Sequence, residues 1–234
     1  MLPPPEPVAA LAARLADVDE RIDGALRQAG REPGDIVRIV VTKFHPARLV
    51  ADLVQLDVGD VGENRQQELS AKRAELPELD VRWHFVGQAQ TNKARAVRAA
   101  ASVVHSVDRA RLADALDAAA DADTPVLDVL LQVNLTDDPA RGGVQPEGLE
   151  ALAEHVAALR TLRLRGIMAV APLDEAPASA FARLHTYSDR VRSVAPDAKW
   201  ISAGMTADFP EAIIAGATHL RIGSAITGPR PIRG

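Results

Sequence analysis

The sequence predicts an α/β protein: a single (β/α)8 barrel of the TIM type with one extra helix in front. Three observations carry that prediction. Strand-like and helix-like runs alternate along nearly the whole chain. Eight such units fit into about 200 residues, the small end for a closed barrel. The strand-like runs at 37–42, 127–134 and 164–169 are apolar at nearly every position, as expected of parallel strands covered on both faces.

The elements follow in order. Val8, Leu11, Leu15, Val18, Ile22 and Leu26 recur at helical spacing, and Gly30 with Pro33-Gly34 stops that helix. Strands are expected at 37–42, 58–61, 83–86, 103–106, 127–134, 164–169, 199–202 and 219–222. Helices are expected near 46–56, 63–75, 91–100, 108–121, 146–159, 176–194 and 207–215. Asp108 and Thr206 read as helix caps, and Gly216 stands where a C-terminal cap belongs. Arg160, Arg163 and Arg165 read as a solvated strand entry rather than a nucleic-acid patch. Residues 1–7, rich in proline, are expected to be a flexible start, and 8–234 one barrel domain.

Composition narrows the function classes. The net charge is −5 over 234 residues, so no basic field for nucleic acid or anionic membrane is expected. There is no cysteine, which excludes disulfides and thiolate chemistry. No apolar run reaches the roughly 20 residues that span a bilayer. The first residues lack the charged and apolar regions of a secretion signal, so a cytoplasmic protein is expected. The six histidines show no helical pairing with a carboxylate that suits a metal. His84 and His105 alternate with apolar residues, and buried, hydrogen-bonded rings are expected for both.

Chemistry in such a barrel gathers at the C-terminal ends of the strands. The first strand ends at Lys43, one of only four lysines against twenty-three arginines. Arginine serves where a plain cation suffices, whereas a desolvated lysine amine loses its proton and attacks carbonyls. The seventh strand leads into Ser202-Ala203-Gly204-Met205-Thr206 and the eighth into Gly223-Ser224. Loops at these two strands often cradle phosphate; Thr206 and Ser224 add hydroxyl donors, and Gly204 and Gly223 allow close backbone approach. Arg221 shares parity with Gly223 and can point into the same mouth. An amine, a phosphate grip and an arginine together suggest pyridoxal 5′-phosphate.

Six segments also carry a family resemblance. The first three are Val41-Thr42-Lys43 with Pro46, Gly62-Glu63-Asn64, and Trp83-His84-Phe85-Val86-Gly87 with Gln90 and Asn92-Lys93. The others are His105-Ser106-Val107-Asp108-Arg109, Gly204-Met205-Thr206-Ala207-Asp208 and Arg221-Ile222-Gly223-Ser224-Ala225-Ile226. In order and along the whole chain, they resemble the pyridoxal-phosphate homeostasis proteins of the YggS/PROSC group, relatives of the barrel domain of alanine racemase. The resemblance implies that Lys43 carries the cofactor as an internal aldimine. It implies that Met205, Thr206, Gly223 and Ser224 hold the phosphate and that Arg221 contacts the pyridine nitrogen, and it favours Asn64 as a cofactor contact over a cap of the 63–75 helix; Ser202, at the start of the loop after the seventh strand, is counted in the same cofactor set. Arg65 stands where the group often has Tyr, and His45 and Arg141 where it often has Lys.

A carrier of the cofactor is expected rather than an enzyme. Racemisation needs a second acid/base group on the opposite face of the substrate carbanion. In the racemases that group is a tyrosine from a C-terminal β domain. Here the chain ends at Gly234, soon after the eighth strand, and its single tyrosine, Tyr187, lies in mid-helix. The expected partners are the small-molecule cofactor and, in passing, apo-enzymes that receive it; a monomer is expected. Two other readings stand beside this one: a pyridoxal-phosphate enzyme with weak racemase or lyase activity, and a barrel for another phosphorylated metabolite.

Overall fold

A computed structural model describes residues 8–230. The expected flexible start at 1–7 lies outside the described residues. Eight parallel strands close into a barrel in sequence order. They are β1 (Val37–Val41), β2 (Asp60–Glu63), β3 (Arg82–Phe85), β4 (Val103–Val107), β5 (Leu127–Gln132), β6 (Leu162–Met168), β7 (Trp200–Ser202) and β8 (His219–Ile222). Closure is made by β1 against β8, with Val37 opposite His219 and Val40 opposite Ile222.

One helix follows each strand, as parallel pairing requires of its crossovers. The leading helix is α1 (Val8–Ala29). Around the barrel run α2 (Ala47–Val54), α3 (Gln66–Glu75), α4 (Ala94–Ala100), α5 (Ala110–Asp117), α6 (Leu149–Ala157), α7 (Pro177–Val194) and α8 (Phe209–Ile214). A single-turn helix, α9 (Ser224–Thr227), follows β8. The apolar stripe read from the sequence of α1 is buried, with Leu11, Leu15, Val18, Ile22 and Leu26 all in the core. That stripe packs on α8 and α9, so the extra helix covers the seam where the barrel closes.

The main core lies between the strands and the helices. The barrel interior is different. It holds a small apolar group of Val103, Leu130 and Met168 with Trp200 packed on it, and beside that a set of buried polar side chains: His84, His105, Ser202, His219 and Arg221.

Several boundaries differ from the sequence reading. The second strand begins at Asp60 rather than 58, because its ladder partner is the 82–85 run, with Asp60 opposite Arg82. β6 starts at Leu162, opposite Leu127, so Arg163 and Arg165 lie within the strand and not at its entry. Both reach Asp128 on β5, a cross-strand partner that local sequence cannot reveal. Neither expected cap forms. Asp108 pairs with Arg109, which itself precedes α5. Thr206 sits ahead of a separate turn, and α8 starts after Asp208 with Pro210 in its first turn, where proline's fixed φ favours a helix start. Gly216 does follow α8 with a φ of 95°, the left-handed geometry of a helix stop.

The α1 seam can be tested. Leu26 is 1% exposed, and Leu26→Ala should lower the unfolding free energy by about 2–5 kcal/mol, read by chemical denaturation.

Candidate functional site

At the end of β1 the chain has to carry Lys43 out of a buried strand. Thr42 is still on the ladder, its N–H donating to the Gly62 carbonyl at 2.9 Å. Its hydroxyl donates to Glu63 Oε1 at 2.6 Å. Lys72, from α3, donates to the Thr42 carbonyl at 2.8 Å and also to Glu63. Thr42, Glu63 and Lys72 are all buried, so the peptide that leads into Lys43 is fixed by a charged pair out of water. Phe44 then takes a φ of 70°, an uncommon conformation for a residue with a side chain. Glu68 steadies it by accepting the Phe44 N–H at 2.9 Å.

Lys43 itself is half-buried and lines a cavity of about 530 Å³ at the C-terminal mouth of the barrel. Burial lowers its pKa from the ordinary 10.5; Arg230 lowers it further, and Glu63 opposes them. The same cavity is lined by Asn64, Met205, Thr206, Arg221, Gly223 and Ser224. Seven of the eight residues expected from sequence thus meet in one place. Ser202 is the exception. It is buried beneath the wall, where Arg221 Nη1 donates to its hydroxyl at 2.7 Å.

The loops explain how the other residues arrive. Gly204 has a φ of 89°, and a Cβ there would lie 2.8 Å from the Ala212 Cβ. A larger residue would push the loop away from α8. Asp208 accepts the Met205 N–H at 2.6 Å and closes the turn that presents Met205 and Thr206. The Ala225 N–H reaches Thr206 Oγ1 at 3.5 Å, bringing the β7 and β8 loops together. Across the mouth, a Cβ on Gly87 would stand 2.0 Å from the Asn64 carbonyl, so glycine is required for the chain leaving β3 to pass Asn64.

The donor set fits pyridoxal 5′-phosphate. It offers one amine with a lowered pKa, one buried guanidinium, the hydroxyls of Thr206 and Ser224 among others, and apolar walls from Val41, Val86 and Met205. Asn64 Oδ1 is buried with no hydrogen-bond partner among the described residues, a cost that a ligand donor would remove. Arg221 is buried, which lowers its pKa to about 10 and leaves it a cation at neutral pH.

Arg230 is a charged cavity residue that the sequence left unmarked. It lines the cavity from beyond α9, and its guanidinium stacks on the Phe44 ring 4.7 Å from the centroid. Arg65 lies 5.1 Å from the same ring. No local signal marks Arg230, because its place depends on where the chain travels after the barrel has closed. Asn92 and Lys93 stay exposed outside this cavity. Tyr187 lines a different cavity, with Asn134 and Arg183. Among the described residues, no group of three or more His, Asp or Glu side chains could hold a metal ion.

Comparison with known proteins decides the family. Residues 21–231 match the family model described as alanine racemase, N-terminal domain. The pyridoxal phosphate homeostasis protein of Mycobacterium tuberculosis is 40% identical over 248 residues, covering 98% of this chain and 96% of that one. The chain belongs to this family. The Pseudomonas aeruginosa member is 39% identical, covering 94% of this chain and 96% of its own length. Among solved structures, PipY of Synechococcus elongatus with PLP bound has a TM-score of 0.81 at 34% identity, covering 93% of this chain and 100% of that one. An alanine racemase of Clostridium difficile has a TM-score of 0.70 at 16% identity, covering 89% of this chain and 56% of that one. That likeness is one of fold.

The buried Lys72–Glu63 pair of this family member makes a prediction. Lys72→Met should destabilise the protein by about 3–5 kcal/mol at neutral pH, since it strands a buried carboxylate. Burial already raises the Glu63 pKa despite Lys72. A carboxyl whose folded pKa is raised takes up a proton on folding, so the variant should regain stability as pH falls. Denaturation curves of variant and wild type across acidic to neutral pH check both statements.

Proposed function

We propose that the protein holds pyridoxal 5′-phosphate on Lys43 and serves the intracellular supply of that cofactor, without turning over a substrate. The observation that carries this reading is the meeting of a half-buried amine of lowered pKa with Arg221 and two loop hydroxyls around one cavity. The names of its relatives, and the PLP bound to PipY, support the same ligand.

Bound pyridoxal phosphate supplies an aldehyde carbon for an amine to attack. Lys43 provides the amine, and its partial desolvation enlarges the fraction without a proton. Thr206 and Ser224 offer hydroxyls to the phosphate, and Gly223 lets the backbone come close. Met205 and Val86 would offer apolar faces to the ring, Asn64 Oδ1 would be placed to accept from the ring's hydroxyl substituent, and Arg221 would donate to the ring nitrogen. Ser202 acts one step back, through Arg221.

A donor that stays protonated at the ring nitrogen leaves that nitrogen an acceptor, which weakens the ring as an electron sink. This favours holding and releasing cofactor over amino-acid chemistry. The wild-type protein should be yellow, and Lys43→Ala should lose the visible band. Borohydride reduction should attach the cofactor mass to the peptide containing Lys43. Loaded protein mixed with an apo-enzyme should restore its activity, and alanine should not be racemised. Retention of the band in Lys43→Ala would overturn the assignment of Lys43, and sustained alanine turnover would overturn the carrier reading.

Charge near the amine gives a further prediction. Arg230 adds to the effect of burial in lowering the Lys43 pKa, so Arg230→Ala should raise it. The pH midpoint for cofactor capture should then move upward, with slower capture at neutral pH, followed by stopped-flow absorbance.

A further inference from the structure

Arg221 is a buried cation, and no carboxylate of the described residues forms an ion pair with it; Asp208 acts on it only through its field. Its Nη1 donates to Ser202 Oγ at 2.7 Å and its Nη2 to the Ala169 carbonyl at 2.9 Å. From Ser202 a line of contacts crosses the barrel interior. Ser202 Oγ lies 2.9 Å from His105 Nδ1, and His105 Nε2 lies 2.9 Å from His84 Nδ1. His84 Nε2 lies 2.7 Å from Asp60 Oδ1, at the first residue of β2 and so at the end of the barrel away from the cavity.

The two ends set the direction of every hydrogen in this line. An ionised Asp60 only accepts, so His84 carries its hydrogen on Nε2 and presents a bare Nδ1. His105 must then donate from Nε2 and present a bare Nδ1 in its turn. That nitrogen accepts the Ser202 hydroxyl hydrogen, which leaves the Ser202 oxygen to receive Arg221. Burial keeps both rings neutral. Burial alone would raise the Asp60 carboxyl, but its hydrogen bond to His84 holds it below the usual range. The other charged or titratable groups facing the line are Arg82, Asp128, Arg165 and His219. His219 stays off it, its Nδ1 meeting the Thr218 hydroxyl at 2.8 Å.

In this arrangement every dipole turns its negative end toward the guanidinium and its positive end toward the carboxylate. Aligned hydrogen bonds polarise one another and strengthen together. We infer that Asp60 is a positioning residue and remote counter-ion for Arg221, acting through His84, His105 and Ser202 to fix the guanidinium that faces the cofactor ring. The ring's part in this rests on the function proposed above; the hydrogen directions do not.

The test begins with the unloaded wild-type protein. Long-range proton–nitrogen NMR should show His84 and His105 as neutral rings with hydrogen on Nε2, uncharged around pH 6.5, where a free histidine is half charged. Hydrogen on Nδ1 of either ring, or a charged ring there, would overturn the inference whether or not cofactor binds. Asp60→Ala removes the terminal acceptor at a site whose side chain is 27% exposed. It should mix the tautomers of both rings, shift the visible band of the loaded protein and weaken pyridoxal phosphate binding about five-fold, the worth of one hydrogen bond. Asp60→Asn keeps an acceptor oxygen but loses the charge, so it should hold both tautomers while weakening pyridoxal phosphate binding by less than Asp60→Ala does; binding equal to wild type would remove the counter-ion part of the inference. A folded Asp60→Ala protein with unchanged tautomers and an unchanged band would also refute the inference. Should that variant fail to fold, the wild-type measurement alone decides. The expected tautomers in a protein that binds no cofactor would sink the carrier reading and leave the hydrogen directions standing.

Discussion

Glu63 is a carboxylate taken wholly out of water at the end of β2, and the site is built around its pairing. Thr42 and Lys72 both turn to its Oε1, and Lys72 also takes the Thr42 carbonyl. Burying a charge is costly unless it is paired and hydrogen-bonded. The second oxygen, Oε2, has no partner among the described residues, so the whole arrangement leans on Lys72. That pairing ties α3, β1 and β2 together at the residue before Lys43. The amine therefore leaves a rigid backbone, and its position relative to the other loops is set before any ligand arrives.

A second constraint comes from below. A parallel barrel of this size is filled by its own side chains, and here much of that filling is polar. The inward residues of β3, β4, β7 and β8 meet as His84, His105, Ser202 and Arg221. Such a network specifies one arrangement when every member is satisfied. The floor of the cavity is thus a fixed guanidinium, while its rim is made of loops.

The barrel is legible in the sequence because parallel strands buried on both faces are apolar throughout, and because each is followed by a helix. Lys43, Asn64, Met205, Thr206, Arg221, Gly223 and Ser224 are legible because a parallel barrel sends every strand's C-terminal end to the same mouth. The histidines at 84 and 105 are legible as buried rings, but their linkage is not. The cap assigned to Thr206 fails because a turn at 205–208 and a proline move the start of α8. The cap assigned to Asp108 fails because that carboxylate pairs with the neighbouring Arg109 instead.

Local hydropathy period and chain direction are properties of short segments, and they suffice to set the order of the elements and the residue at each strand end. Which side chains meet is a different matter. His105 and Ser202 stand 97 positions apart and touch at 2.9 Å. Arg230 comes to the cavity that holds Lys43 only after the last strand has closed against the first. Those meetings depend on strand register and on closure, and both belong to the assembled barrel rather than to any segment of it.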